Sequence, residues 1–310
     1  MNTTGHTRPR ILTDFDGVWT TVDGQAAAVN AARGRRLAEM TDWSEADLGA
    51  CLDRVAAALA AEPIAHGWRI DGRITAYCDE DPFLRHNATM AGIGVLGDRD
   101  DDGCAALRDV LAAAGHHDLG ALGSQIFLDA SHAYLDRGGH DLLPTAPDVL
   151  STLLARTDVV FCTNFTTGAV ARSWTPRGFV FDGPGGTSGL TLRGEARKQV
   201  LTADPVREVV FGNRPVAVDR THYREALLAE RPDVIVGDVF SLDLALPLAM
   251  SHDDPSWSPH CVLMRTAHTP AWARDLADGD SWPRLHTLDD LARLPALVTE
   301  LTAGDKRSAP

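Results

Sequence analysis

The sequence predicts an α/β protein, a Rossmann-like parallel sheet interrupted near its start by a mainly α-helical insertion. Three observations carry that expectation. The runs Val159-Val160-Phe161-Cys162 and Val234-Ile235-Val236 are continuously apolar, as strands buried on both faces are, and each closes on polar residues. After Pro144, strand-like and helix-like segments alternate, the pattern of a parallel sheet with helices on its faces. From Gly24 to Gly139 the chain is instead rich in Ala, Leu and Arg near helical period.

In chain order, Ile11-Leu12-Thr13 reads as the first strand. Helices follow over Gln25 to Met40 and Ser44 to Ala61, with Ser44 and Asp47 spaced as a helix start. Pro63 to Asn87 carries the turn signals Gly67-Trp68, Asp71-Gly72 and Asp81-Pro82 and reads as irregular, with Tyr77 to Asn87 mixed enough in chemistry to be a specificity loop or a surface loop. Further helices are expected over Gly103 to Ala114 and Gln125 to Leu135. Past Pro144 come a helix at Pro147 to Arg156, with proline in its first turn, and the strand from Val159. Two short strands flank Gly212-Asn213 within Arg207 to Val218, followed by a helix at His222 to Glu230 and a strand at Asp233 to Val236. Cys261 to Met264 reads as a strand and Leu288 to Leu301 as a closing helix, with a disordered tail expected from Thr302. Domains at 1–23 with 140–310, and at 24–139, follow from this division.

Length and charge narrow the function. A chain of 310 residues, 44% hydrophobic and 23% charged, can bury a core plus a second unit. A net charge of -14 repels polyanions, so neither nucleic acid nor an anionic membrane surface is an expected partner, whereas a small phosphorylated metabolite is compatible if a cation and local basic groups override the field. The acidic run Asp98 to Asp102 reads as a solvated loop or helix start. Five scattered cysteines without a C-x-x-C pair argue against a disulfide framework or zinc site, and Cys162 reads as a buried structural thiol. No H-E-x-x-H occurs among the twelve histidines. The polar start, Met1 to Arg10, and the lack of an apolar span predict a cytoplasmic protein.

The chemistry-bearing residues sit at the predicted strand ends. Asp14 and Asp16, two apart where the first strand ends, can point toward one ligand, and Gly17 lets the chain turn. Such a pair suits metal-assisted chemistry in which one carboxylate attacks and the other handles a proton, although Asp-x-Asp-Gly is also an ordinary turn. Thr163 and Asn164 end the second apolar run, and Asp238 and Asp243 follow the third. Thr163 could equally be a strand-end cap, and Asp243 a helix cap. Of 29 basic residues only Lys198 and Lys306 are lysines, so Lys198 suggests a place that needs a compact point charge. Trp19, directly after the first motif, suits either the wall of a site entrance or burial against the inserted segment.

In this order the four motifs resemble those of the haloacid dehalogenase-like superfamily, over roughly residues 10 to 22 and 140 to 300. The resemblance implies a magnesium-dependent phosphatase with a cap domain between its first and second motifs. By it, Asp14 is the nucleophile and Asp16 the general acid and base. Thr163, Asn164 and Lys198 hold the phosphoryl group, with Arg220 the alternative to Lys198 because the Lys198-to-Asp238 spacing is long for the family. Magnesium is held by Asp14, the backbone carbonyl of Asp16 and Asp238, with Asp243 supporting the metal ligands or orienting Lys198. Asp16 disfavours dehalogenation, because a halide leaves without a proton. The same residues also fit phosphoryl transfer to another acceptor, as in mutases, or a non-catalytic binding protein that retains the fold.

Overall fold

A computed structural model describes residues 8–70, 72–99, 102–139, 141–182, 188–202 and 205–307. It divides into two compact units, Met1–Thr21 with His140–Pro310, and Val22–Gly139.

The first strand, β1 (Arg10–Thr13), belongs to the first unit. The chain then forms the second unit: α1 (Asp23–Thr41), α2 (Glu45–Ala61), β2 (Gly67–Ile70), β3 (Arg73–Tyr77), α3 (Pro82–Asp98), α4 (Asp102–Ala113) and α5 (Leu119–Asp136). Returning to the first unit, it continues through α6 (Ala146–Leu154), β4 (Asp158–Cys162), α7 (Thr167–Trp174), β5 (Leu190–Arg193), β6 (Glu208–Phe211), β7 (Arg214–Ala217), α8 (Thr221–Glu230) and β8 (Val234–Gly237). A π-helical turn, Phe240–Leu244, leads into α9 (Ala245–Asp253), then β9 (His260–Met264), α10 (Ala271–Asp278), β10 (Leu285–Leu288) and α11 (Leu294–Arg307).

In the first unit six parallel strands run in the order β10-β9-β8-β1-β4-β5. The chain builds outward from β1 to β4 and β5 on one side, then crosses to β8, β9 and β10 on the other. The order therefore reverses between β1 and β8, the kind of crevice in which open α/β sheets place ligands. Beneath the sheet lies an apolar core including Ile11, Val159, Phe161, Val234 and Val262, all fully buried. Trp19 is part of it: its ring packs 5.2 Å from Phe161 and 5.6 Å from Trp174, and its indole N–H donates to Thr13 Oγ1 at 2.9 Å. Trp19 thus belongs to an aromatic cluster within the first unit.

Helices dominate the second unit. Leu37, Cys51, Val55, Met90, Ile93, Leu107 and Leu111 form its core, with α3 packed against α2, α4 and α5. Ser44 caps α2, its hydroxyl accepting from the Asp47 amide.

Several sequence expectations change. Pro63 to Asn87 is not irregular: it holds the β2–β3 hairpin and the start of α3. The Asp81-Pro82 signal marks a helix start rather than a turn, because Asp81 accepts from the amides of Phe83 and Leu84 while proline occupies the first turn. The acidic run ends in α4 at Asp102, while Asp100 and Asp101 lie outside the described residues. Leu288 ends β10 instead of opening the closing helix, and the expected disordered tail is helix as far as Arg307, where Val298 and the residues around it anchor α11 to the core. Elements α7, β5, α9, α10 and β10, each of nine residues or fewer, were not expected from the sequence. Among the described residues, no helix is long and apolar enough to cross a membrane.

Candidate active site

Three neighbouring strands, β8, β1 and β4, deliver the site at their C-terminal ends. Asp14 follows β1, and its amide prolongs the ladder by donating to Val236 O at 2.9 Å. Asp238 follows β8 and Thr163 follows β4. Register alone therefore brings residues separated by more than 200 positions to one edge.

Lys198 joins them. Its ammonium donates to Asp14 Oδ1 at 2.8 Å and to Asp243 Oδ1 at 2.7 Å, with only 2% of its side chain exposed. Burial alone would depress this lysine, but the charges of Asp14 and Asp243 overcome that and hold its pKa well above the ordinary value. Burial is also the main cause at Asp14, pushing it up to about 6; Lys198 opposes the rise and Asp243 adds to it.

The loop that presents Lys198 is fixed from several sides. The side-chain carbonyl of Asn164 accepts the Lys198 amide at 2.8 Å, Thr163 O accepts the Ala196 amide at 2.9 Å, and Phe165 O accepts the Glu195 amide at 2.7 Å. Glu195 and Arg197 adopt left-handed φ of 53° and 51°, a strained conformation that these contacts stabilise. Arg220 meets the same loop. Fully buried, its guanidinium donates to the carbonyls of Lys198 and Ala217, so it braces the loop from behind. The long spacing between Lys198 and Asp238 is taken up by the β6–β7 hairpin.

Asp243 rides on the π-helical turn after β8. Its Oδ2 accepts the Val239 amide at 3.2 Å, and its own carbonyl accepts the Tyr223 hydroxyl at 2.8 Å. Two glycines make room for the acids. A Cβ on Gly237 would lie 2.3 Å from Asp243 Cβ, and one on Gly17, whose φ is +71°, would lie 1.9 Å from Asp238 Oδ2. Sequence reading found Gly17 as a turn residue but not as the clearance for Asp238. Gly237 and Tyr223 it missed; Tyr223, twenty residues from the acid it holds, carries no local signal.

Asp16 lies half-buried in the turn two residues beyond Asp14. Thr163 is buried, and its Oγ1 accepts the Phe165 amide at 3.2 Å, the strand-end contact that the sequence also allowed. Burial pushes the Cys162 thiol up to about 12, so at neutral pH it is protonated and inert.

Oxygens of Asp14, Asp238 and Asp243 lie within 4.8 Å of one another. An all-oxygen donor set of this kind fits a hard divalent cation such as magnesium. Both carboxylate oxygens of Asp243 are engaged, by Lys198 and by the Val239 amide, whereas Lys198 takes only Oδ1 of Asp14, so Asp14 and Asp238 are the better ligands.

No family model matches the chain, and no curated protein does. The solved structures similar to it include the HAD-hydrolase YfnB of Bacillus subtilis, described as bound to magnesium, at 12% identity over 95% of this chain and 100% of that one, TM-score 0.43. A haloacid dehalogenase-like hydrolase of Xanthomonas campestris is 12% identical over 98% of this chain and 100% of that one, TM-score 0.44. A 2-haloacid dehalogenase of Pseudomonas syringae is 15% identical over 95% and 99%, TM-score 0.40. Likeness at this level says nothing about the reaction, which has to be read from the side chains.

Proposed function

We propose that this chain is a haloacid dehalogenase-like hydrolase that cleaves a phosphate monoester of a small metabolite with the help of magnesium, in the cytoplasm. The observation that carries the proposal is the buried Lys198 ammonium bridging Asp14 and Asp243 beside Asp238, at the point where the strand order reverses.

In the proposed reaction a carboxylate oxygen of Asp14 attacks phosphorus and the ester P–O bond breaks, giving an aspartyl-phosphate, while Asp16 protonates the departing alkoxide. Asp16 then takes a proton from water as that water attacks phosphorus, and inorganic phosphate leaves Asp14. Lys198 keeps Asp14 ionised and offsets charge on the phosphoryl oxygens, with the Thr163 hydroxyl and Asn164 amide donating to them. Asp14, Asp238 and the carbonyl of Asp16 would hold magnesium, which neutralises phosphate charge when bound. The helical unit, residues 22–139, is then a cap that selects the substrate.

The test is phosphate release from a panel of sugar, nucleotide and small organic phosphates, with magnesium or with EDTA. Turnover that needs magnesium and vanishes in Asp14→Asn is expected; a folded protein silent across the panel sinks the proposal. Oxygen from labelled water entering the released phosphate distinguishes hydrolysis from transfer to another acceptor.

A further inference from the structure

We propose that Cys51 and Cys104 form a reversible disulfide fastening α2 to α4 inside the helical unit. Their sulfurs lie 3.1 Å apart although the residues are 53 positions apart in sequence. Closing to the bonding distance of about 2.05 Å takes only ~1 Å of movement. Both residues are fully buried, among Leu48, Val55, Leu107 and Leu111.

The packing around the pair holds the two helices at this separation. Gly103 precedes Cys104, and Arg54 lies one turn beyond Cys51. A Cβ at Gly103 would fall 1.8 Å from Arg54 Nη2, the tip of an exposed side chain, so the Arg54 guanidinium reaches from α2 over the first turn of α4.

The oxidant is a low-molecular-weight disulfide. Once the first turn of α4 opens and its thiol meets water, Cys104 loses its proton and attacks as thiolate. Its sulfur bonds to one sulfur of the reagent and the other leaves as a thiol. Cys51, losing its proton, attacks the Cys104 sulfur and expels the second thiol. Two protein thiols are thereby oxidised and one external disulfide is reduced to two thiols. Because the sulfurs are buried, entry requires the first turn of α4 to open, which makes exchange slow without making it unfavourable. Closing a loop of this length restricts the unfolded chain, so the folded unit and the disulfide stabilise each other.

The experiment uses the full-length wild-type protein in mixtures of reduced and oxidised glutathione, quenched in acid and read by mass spectrometry with peptide mapping. The expected product has lost two hydrogen masses and carries a Cys51–Cys104 cross-link. Its exchange equilibrium constant should be at least about tenfold larger in native buffer than in urea. The oxidised protein should also unfold at higher urea than the reduced one, with Cys51→Ser showing neither effect. Native protein that stays reduced or collects only glutathione adducts at equilibrium, or an exchange constant no larger than in urea, overturns the proposal.

Discussion

Alanine at position 17 should uncouple the acidic cluster without unfolding the sheet. Two costs can be separated. The backbone cost arises because Gly17 sits at φ +71°, where a Cβ is unfavourable by about 1–2 kcal/mol. The contact cost arises because that Cβ would stand 1.9 Å from Asp238 Oδ2, whereas ordinary contact begins at about 3.4 Å. Either the turn or the carboxylate must therefore retreat by roughly 1.5 Å, and overpacking of this kind costs about 1–3 kcal/mol more. Gly178 provides the control: it lies in the same unit at φ +84° with nothing within 4 Å of its virtual Cβ, so Gly178→Ala bears the backbone cost alone. Urea unfolding in EDTA should place Gly17→Ala below Gly178→Ala by about 1–3 kcal/mol. Calorimetric titration should show magnesium binding to Gly17→Ala at least about tenfold weaker than to the control, because magnesium tolerates little displacement of its oxygens. Equal stability losses and equal magnesium affinities would refute the view that Asp238 needs this clearance.

Removing the Lys198 charge as Lys198→Met strands the buried carboxylate of Asp243 and the half-buried one of Asp14 and should cost about 3–5 kcal/mol in metal-free protein, read as faster amide exchange in β1 and β8; Asp243→Asn in the same chain should recover part of it. Asn164→Ala leaves the Lys198 amide without its acceptor, so stability should fall by about 1–2 kcal/mol and kcat should fall more than KM rises. Burial pushes His86 down to about 4, with its Nε2–H donating to Gly123 O at 3.0 Å. The unfolded chain then takes up the proton first as pH falls through about 6.5, so the helical unit should lose up to about 3 kcal/mol between pH 6.5 and 4 and nothing further below that. Amide exchange in α3 and α5 measures this, and His86→Gln should flatten the slope.

How much of this was legible beforehand depended on how local each signal is. The strand-end acids Asp14 and Asp238 announced themselves because an apolar run closing on a carboxylate needs no knowledge of its neighbours. Lys198 stood out by composition alone. By contrast, the brace from Arg220, the clearance at Gly237 and the Tyr223 hydroxyl on Asp243 exist only once distant segments meet, and the segments themselves do not encode them. Helix α3 was missed for a different reason: Asp-Pro starts helices as readily as it makes turns, and the residues after it are buried nearly all round, polar His86, Asn87 and Thr89 included, so no period of 3.6 emerges. The Cys51–Cys104 contact was invisible for want of a short spacing.

The adjacency of β1 and β8 has a consequence for biosynthesis. Asp14 leaves the ribosome about 220 residues before Asp238, on the order of 10–45 s at usual elongation rates. Throughout that interval β1 lacks one of its two neighbours, and the nascent chain has Asp14 without Asp238 or Asp243. The cluster is therefore complete only after the whole second unit and β4, β5 and β8 have been made, so cation capture by an arrested nascent chain would date the moment at which β8 docks.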